Sequence, residues 1–404
     1  MGSATGVDVT NPSGAAAALR STRAVRDRAG VLTERARDGG SRWFTVHDDA
    51  LDAAAAVVAD VTRRNYPDLQ IPFHSRWRHF EAGGVDRKTE LRSRADPLAL
   101  VDLTVVSVLL DAGSGSAWSY VEPQTGLRLA RSEGLGVASF HAFTSGLFSS
   151  EPDDPLRVDA TGLTALTTYQ LAEAFQVDDG NPLVGLDGRL ALLHRLGALA
   201  AASPEVFGTD GRPCGLLDTA CGSIPAHDIL SAVLTSFAPI WPGSSVIGDQ
   251  RLGDCWRHSA LDGPALTAGW MPFHKLSQWL TYSLLEPFGW AGVTVTDLDE
   301  LTGLPEYRNG GLLLDTGVLR LRDNANGDRT LTVADELVVE WRALTVTLLD
   351  ELAPLVRERL GVDAERLPLA RVLEGGTWAA GRMLAQKLRG GRPPLSITSD
   401  GTVF

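Results

Sequence analysis

The sequence predicts a mainly α protein, a helical, bundle-like body carrying small β-hairpins. Three observations predict it. Apolar residues recur at three- and four-residue spacing through most of the chain. Helix-opening pairs, Asp96-Pro97 and Asn181-Pro182, stand ahead of such runs. Period-two alternation is confined to a few short stretches.

Residues 1–17 are rich in Ala, Ser and Gly and are expected to be a disordered arm. From Leu19-Arg20 the pattern reads as helix through Leu51–Val58. Asp96-Pro97 opens a helix that runs to Leu110 and closes at Asp111-Ala112-Gly113. Thr161–Phe175 reads as the next, and Asn181-Pro182 opens one carrying Leu190, Leu193, Leu196 and Leu199 on one side. Helices are expected over 226–237, 272–286, 335–359 and 367–388, with a short one capped at Thr296-Asp297. Leu127–Leu129 and Val318–Leu321 alternate, the second leading into the turn-rich stretch Asp323–Asp328, and both read as hairpin strands. Loops at 113–126 and 208–223 are long enough to line a site. Residues 18–404 are expected to form a single catalytic domain, with a division into two lobes near 205–225 as the alternative.

Charge narrows the function. Lys plus Arg number 37 and Asp plus Glu 50, a formal net charge of −13. Non-specific grip on nucleic acid or an anionic membrane comes from clustered cations, so neither partner is expected. No apolar run is long enough to span a bilayer. The first residues carry no signal-peptide or myristoylation pattern, and three cysteines without a CxxC fit a reduced compartment; a cytoplasmic location is expected. Cys221 reads as structural. Gly113-Ser114-Gly115 follows a helix rather than a strand, and no phosphate-loop, HExxH or GxSxG pattern is present. No metal and no cofactor is expected.

Three segments hold more polar and aromatic residues than a core needs. Ile71–Phe80 places Arg76, Arg78, His74 and His79 beside Phe73 and Trp77, which suits either an anion or stacking site or an ion-paired surface corner. Asp111–Tyr120 and Arg131–Leu135 join a carboxylate at a helix C-terminus to glycines, Trp118 and Tyr120. Met271–Tyr282 puts Lys275, Gln278, Trp279 and Tyr282 at i, i+3, i+4 and i+7, one helical face. Downstream, Glu306-Tyr307-Arg308-Asn309 precedes paired glycines, where a loop holds a carboxylate toward a cavity or Glu306 simply pairs with a cation.

The stretches Ile71–Phe80, Asp111-Ala112-Gly113, Arg131-Ser132-Glu133-Gly134-Leu135 and Tyr307–Leu312 together resemble the uracil-catabolism family of fungi and bacteria, long described only as a domain of unknown function. The resemblance runs from about residue 18 to the C-terminus. It implies a place in a pyrimidine ring-opening route, in which ribosylurea or its phosphate is an intermediate. A more distant likeness is to queuosine 5′-phosphate N-glycosylases. It rests on Phe273-His274-Lys275-Leu276-Ser277-Gln278, the Tyr307-Arg308 loop, Gly317-Val318-Leu319, Glu340-Trp341-Arg342-Ala343, and Glu374 with Trp378. That likeness implies a helical fold related to DNA glycosylases, without DNA binding, and cleavage of a C1′–N bond by an acidic residue. At the position of that family's Asp this chain has the longer Glu306.

Cutting an N-riboside passes through an oxocarbenium-like sugar and wants negative charge beneath C1′, an activated water and a proton for the leaving nitrogen. Glu306 is the expected catalytic carboxylate, with Asp111 or Glu374 as the proton donor. Lys275, Arg308, Arg342, His274, Trp378, Arg131 and Glu133 are expected to bind substrate, with Trp118 and Tyr282 walling the pocket. The substrate is expected to be a small molecule. A ureide C–N hydrolase, needing an activated Cys or metal-bound water, and a non-enzymatic pathway-binding protein are the rivals.

Overall fold

The structure is a computed structural model that describes residues 7–217, 222–241, 245–323, 327 and 329–398. It is mainly α, and among the described residues the strands are two or three residues long and pair in two-stranded sheets. The described residues divide into two units. One takes those of Met1–His74, Ser244–Gln278 and Asp297–Thr398, and the other Ser75–Gly243 and Trp279–Thr296. The described residues of 205–225, the stretch named as a lobe division, fall in the second unit, where Asp102, fully buried, accepts from Arg212 at 2.8 Å and from the Cys214 backbone N–H at 2.7 Å.

In the first unit the central element is the 25-residue helix Glu336–Leu360. It packs on Thr22–Arg37, Leu51–Asn65 and Tyr307–Asp315. Its inward stripe, Val338, Trp341, Leu344, Leu348, Leu352 and Val356, is buried, as the 3.6-residue period requires. Residues 12–17 are not the disordered arm expected. Pro12–Leu19 is a helix, capped by Asn11 and started by Pro12. Its Ala15, Ala16 and Leu19 bury against Ile247, Leu252, Cys255 and Trp270, so a small-residue run serves close packing. The expected continuous helix from Leu19 to Val58 is broken by strand Phe44–Val46. That strand pairs antiparallel with Leu319–Leu321, so the alternation at 318–321 marks a long-range pair and not a local hairpin.

In the second unit, helix Pro97–Leu109 matches its expected bounds and is almost wholly buried. Beside it lie Arg131–Thr144 and Leu186–Ala202. Tyr120–Val121 and Arg128–Leu129 form the expected hairpin. The single helix expected over Thr161–Phe175 is two, Ala160–Ala165 and Thr168–Ala174, because Thr167 starts a new capping box with Gln170. Asn181-Pro182 opens no helix; the next begins at Leu186 after Gly185. Most of the 323–328 turn and Cys221 lie outside the described residues.

Candidate active site

Glu306, expected in a loop or in an ion pair, is a helix cap. Its Oε2 accepts from the Arg308 N–H at 2.7 Å and its Oε1 from the Asn309 N–H at 2.6 Å, closing the N-terminus of Tyr307–Asp315. Both oxygens are thereby fixed against the backbone, and the helix dipole favours negative charge at that end. The residue is half-buried, so part of it reaches solvent while the carboxyl itself sits among protein atoms. Burial raises its pKa above the ordinary 4.5, against the two backbone N–H groups and then the charges of Lys275 and His74. Paired glycines do not break the helix. Trp341 Nε1 donates to the Gly310 carbonyl at 3.1 Å, and a Cβ on Gly310 would stand 2.6 Å from that indole.

Glu374 reaches the same neighbourhood through His74. His74 Nδ1 and Glu374 Oε2 are 2.7 Å apart, and Tyr66 Oη donates to Glu374 Oε1 at 3.3 Å. The expected helix over 367–388 is interrupted here by a π turn at Leu373–Thr377, a feature that recurs at functional sites. Gly375 and Gly376 press that turn onto Leu51–Asn65; a Cβ on Gly376 would stand 2.5 Å from Thr62 Oγ1. The extended run through Pro72 brings His74 alongside, its N–H bonded to the Ala370 carbonyl at 2.9 Å. Trp378 is half-buried under the Arg382 guanidinium, 5.3 Å from the ring centroid.

Lys275 starts helix Lys275–Trp290 and is half-buried. Its backbone N–H donates to Asp254 Oδ2 at 3.0 Å. Asp254 also takes a bidentate pair from Arg342 at 2.8 and 2.7 Å, which outweighs burial and holds its carboxyl below the ordinary range. Arg342 Nε donates to the Pro305 carbonyl at 3.2 Å, so Arg342 positions the residue before Glu306. Gln278 likewise braces the loop, exchanging bonds with Thr302 at 2.6 and 2.9 Å. Arg308 is 3% exposed, and its Nε and Nη1 have no hydrogen-bond partner among the described residues. A buried guanidinium with idle donors is costly unless a ligand fills them.

Other expected site residues take different places. His274 is buried, with a left-handed backbone (φ 51°) and its Nε2 3.0 Å from the Leu19 carbonyl; burial lowers its pKa. That tie holds the ring to the C-terminal end of the first helix. Asp111, Trp118, Arg131, Glu133 and Tyr282 belong to the second unit. Trp118 is buried, donates to the Phe175 carbonyl at 2.9 Å and stacks on the Phe175 ring, so it is core. Tyr282 is also fully buried. Arg131 is exposed, with a left-handed φ of 55°. Asp111 pairs with Arg76 at 3.0 Å. Sequence reasoning missed Tyr66 and gave His74 no catalytic part. The signal for His74 was its place after Pro72 in a polar, aromatic run.

Among the described residues, no group of three or more His, Cys, Asp and Glu side chains is placed to hold a metal ion, and no helix is long and apolar enough to cross a membrane. Cys214 and Cys255 are buried, which pushes both thiols up and away from the reactive thiolate.

These features define a helical protein with a carboxylate, imidazole and ammonium gathered on one unit. Residues 18–404 match the family described as a protein of unknown function (DUF1688), and the chain belongs to that family. It is 41% identical over 404 residues to the protein urg3 of Schizosaccharomyces pombe, covering 96% of this chain and 98% of that protein. It is 38% identical over 414 residues to the uracil catabolism protein 4 of Lachancea kluyveri, covering 91% and 93% respectively.

Proposed function

We propose that the protein acts in uracil catabolism as an N-glycoside hydrolase, cleaving the C1′–N bond of ribosylurea or its 5′-phosphate to release urea. The name of one relative, the uracil catabolism protein 4, supports the pathway, and the motif resemblance to queuosine 5′-phosphate N-glycosylases read from the sequence supports the bond. The observation that carries the reaction is Glu306, a carboxylate locked by two backbone N–H groups, desolvated, and faced by the charges of Lys275 and His74.

In this reading Glu306 acts ionised. It takes a proton from the water that attacks C1′, and its charge opposes the developing oxocarbenium ion. Lys275 holds that charge against the upward push of burial. As the C1′–N bond breaks, its electron pair goes to the ureido nitrogen, which leaves as urea only if protonated. Glu374 orients His74 through Nδ1, so Nε2 of the imidazolium supplies that proton, and the water's hydroxyl ends on C1′. Glu374 thus serves the donor as a positioning group. Arg308 offers idle guanidinium donors to the sugar or its phosphate. The substrate is a small molecule, nucleic acid has no part, and the setting is cytoplasmic. Incubating the protein with ribosylurea and with its 5′-phosphate tests the reading; equal amounts of urea and the free sugar support it, and ammonia with bicarbonate sinks it.

A further inference from the structure

Asp254, which no sequence motif singles out, joins the two segments that carry Lys275 and Glu306, all within the first unit. Strand Cys255–Arg257 pairs antiparallel with Trp270–Pro272, Cys255 opposite Pro272. That register sets Asp254 against the residues leading into helix Lys275–Trp290. The Asp254 carbonyl accepts from the Phe273 and His274 N–H groups at 2.9 and 3.1 Å. Its Oδ2 accepts from the Lys275 N–H at 3.0 Å and from Arg342 Nη2 at 2.7 Å. Its Oδ1 accepts from Arg342 Nη1 at 2.8 Å and from Trp256 Nε1 at 2.7 Å. The residue is 6% exposed.

These bonds hold a strained turn. His274 has a left-handed backbone, φ 51°, which a non-glycine residue keeps only where its surroundings over-determine it. Asp254 grips residues 273, 274 and 275 in succession, and the His274 ring is tied to the Leu19 carbonyl besides. Arg342 carries the brace onward. Its Nε donates to the Pro305 carbonyl at 3.2 Å, and its guanidinium lies 4.0 Å from the Phe273 ring centroid. A planar fork fixes direction as well as distance, so the guanidinium ties the turn before Lys275 to the residue before Glu306. The charges acting on Glu306 are those of Lys275 and His74.

We propose that Asp254 is a positioning residue, which sets the Lys275 ammonium in register with the Glu306 carboxyl through the Lys275 backbone and the Arg342 guanidinium. Its part in turnover rests on the hydrolysis read above. A buried ion pair adds little net stability over apolar packing, so the use of this one is the register it imposes. The test is the pKa of Glu306, followed without turnover by carboxyl ¹³C resonance in glutamate-labelled protein, the signal being the one lost in Glu306→Gln. Removing the Asp254 charge by itself lowers that pKa, because Arg342 is left uncompensated. Releasing Lys275 from its place raises it. Asp254→Asn is therefore expected to raise the Glu306 pKa by about half a pH unit or more and to carry the acidic limb of kcat/KM upward with it. It is also expected to cut kcat about tenfold to a hundredfold. In a Lys275→Met background the same substitution is expected to give no rise. A Glu306 pKa that is unchanged or lowered in Asp254→Asn, or raised equally with and without the Lys275 ammonium, overturns the proposal. Should Asp254→Asn not fold, Arg342→Lys decides, since it keeps the charge and gives up the fork and the Pro305 bond. It is expected to raise the same pKa, and an unmoved value overturns the proposal. A Lys275-dependent rise in a chain that releases no urea from ribosylurea leaves Asp254 its place in the site and sinks only the reaction.

Discussion

Glu306→Gln separates a catalytic carboxylate from a helix cap. A glutamine keeps the length and one acceptor oxygen, so it retains part of the bond to the Arg308 and Asn309 N–H groups, which lie 2.7 and 2.6 Å from the wild-type oxygens. Losing a cap costs about 1 kcal/mol. Spread over the unfolding entropy of a chain this long, that moves the melting temperature by only about 1 °C. The charge that burial disfavours is removed as well, which offsets part of the loss. Turnover behaves otherwise. Loss of a positioned base alone costs about 10²–10⁴-fold, and loss of the charge opposing an oxocarbenium ion adds to it. The account therefore expects a nearly unchanged melting curve with urea release from ribosylurea down by about three orders of magnitude or more. The pH profile is the companion assay. A base whose pKa lies above 4.5 gives kcat/KM an acidic limb above that value, and activity rises as pH climbs through it. The sign for stability is opposite. The folded form binds this proton more tightly than the unfolded, so stability falls as pH rises between 4.5 and the folded pKa, and Glu306→Gln flattens that window. Wild-type turnover in a folded Glu306→Gln preparation refutes the role.

Three further perturbations probe the surroundings. His74→Gln is expected to slow urea release by about 10²–10⁴-fold but to spare an N-riboside with a pyridinium leaving group, which departs without a proton; equal losses on both substrates remove His74 from the donor role. Gly376→Ala drives a Cβ to 2.5 Å from Thr62 Oγ1 and 2.7 Å from the Val58 carbonyl, which is expected to cost about 1–3 kcal/mol in denaturant unfolding and to lower turnover by displacing Glu374; unchanged values contradict the packing described. In the second unit, Arg87 holds Glu122 at 2.5 Å and depresses its pKa from 4.5 to about 2, so its contribution, at most about 3 kcal/mol, is present above pH 4.5 and lost as pH falls toward 2. Glu122→Gln is expected to flatten the acid limb of a stability–pH curve in that window, and an unaltered limb counts against the pairing.

What the sequence made legible follows from how local each signal is. Asp96-Pro97 and the apolar run behind it fix a helix by capping and φ restriction alone, and that helix has its expected bounds. Helix Tyr307–Asp315 escaped because Gly310 and Gly311 read as a turn, whereas Gly310 is there to admit the Trp341 indole from a helix some thirty residues on. Glu is an uncommon cap, so nothing local marked Glu306 as one. His74, Tyr66 and Glu374 meet across some three hundred residues of chain, which no spacing rule encodes. Trp118 and Tyr282 show the converse. An aromatic that fills a core and one that walls a cleft have the same side chain, and only burial tells them apart.

The central claim is that water attacks C1′ of a riboside and not the ureido carbon. Running the reaction of ribosylurea, or its 5′-phosphate, in ¹⁸O-labelled water and recovering the products by mass spectrometry tests it most directly. The account predicts one ¹⁸O on the sugar's anomeric carbon and unlabelled urea in equal amount. Label in carbon dioxide, with ammonia released and the sugar still bound to nitrogen, contradicts it.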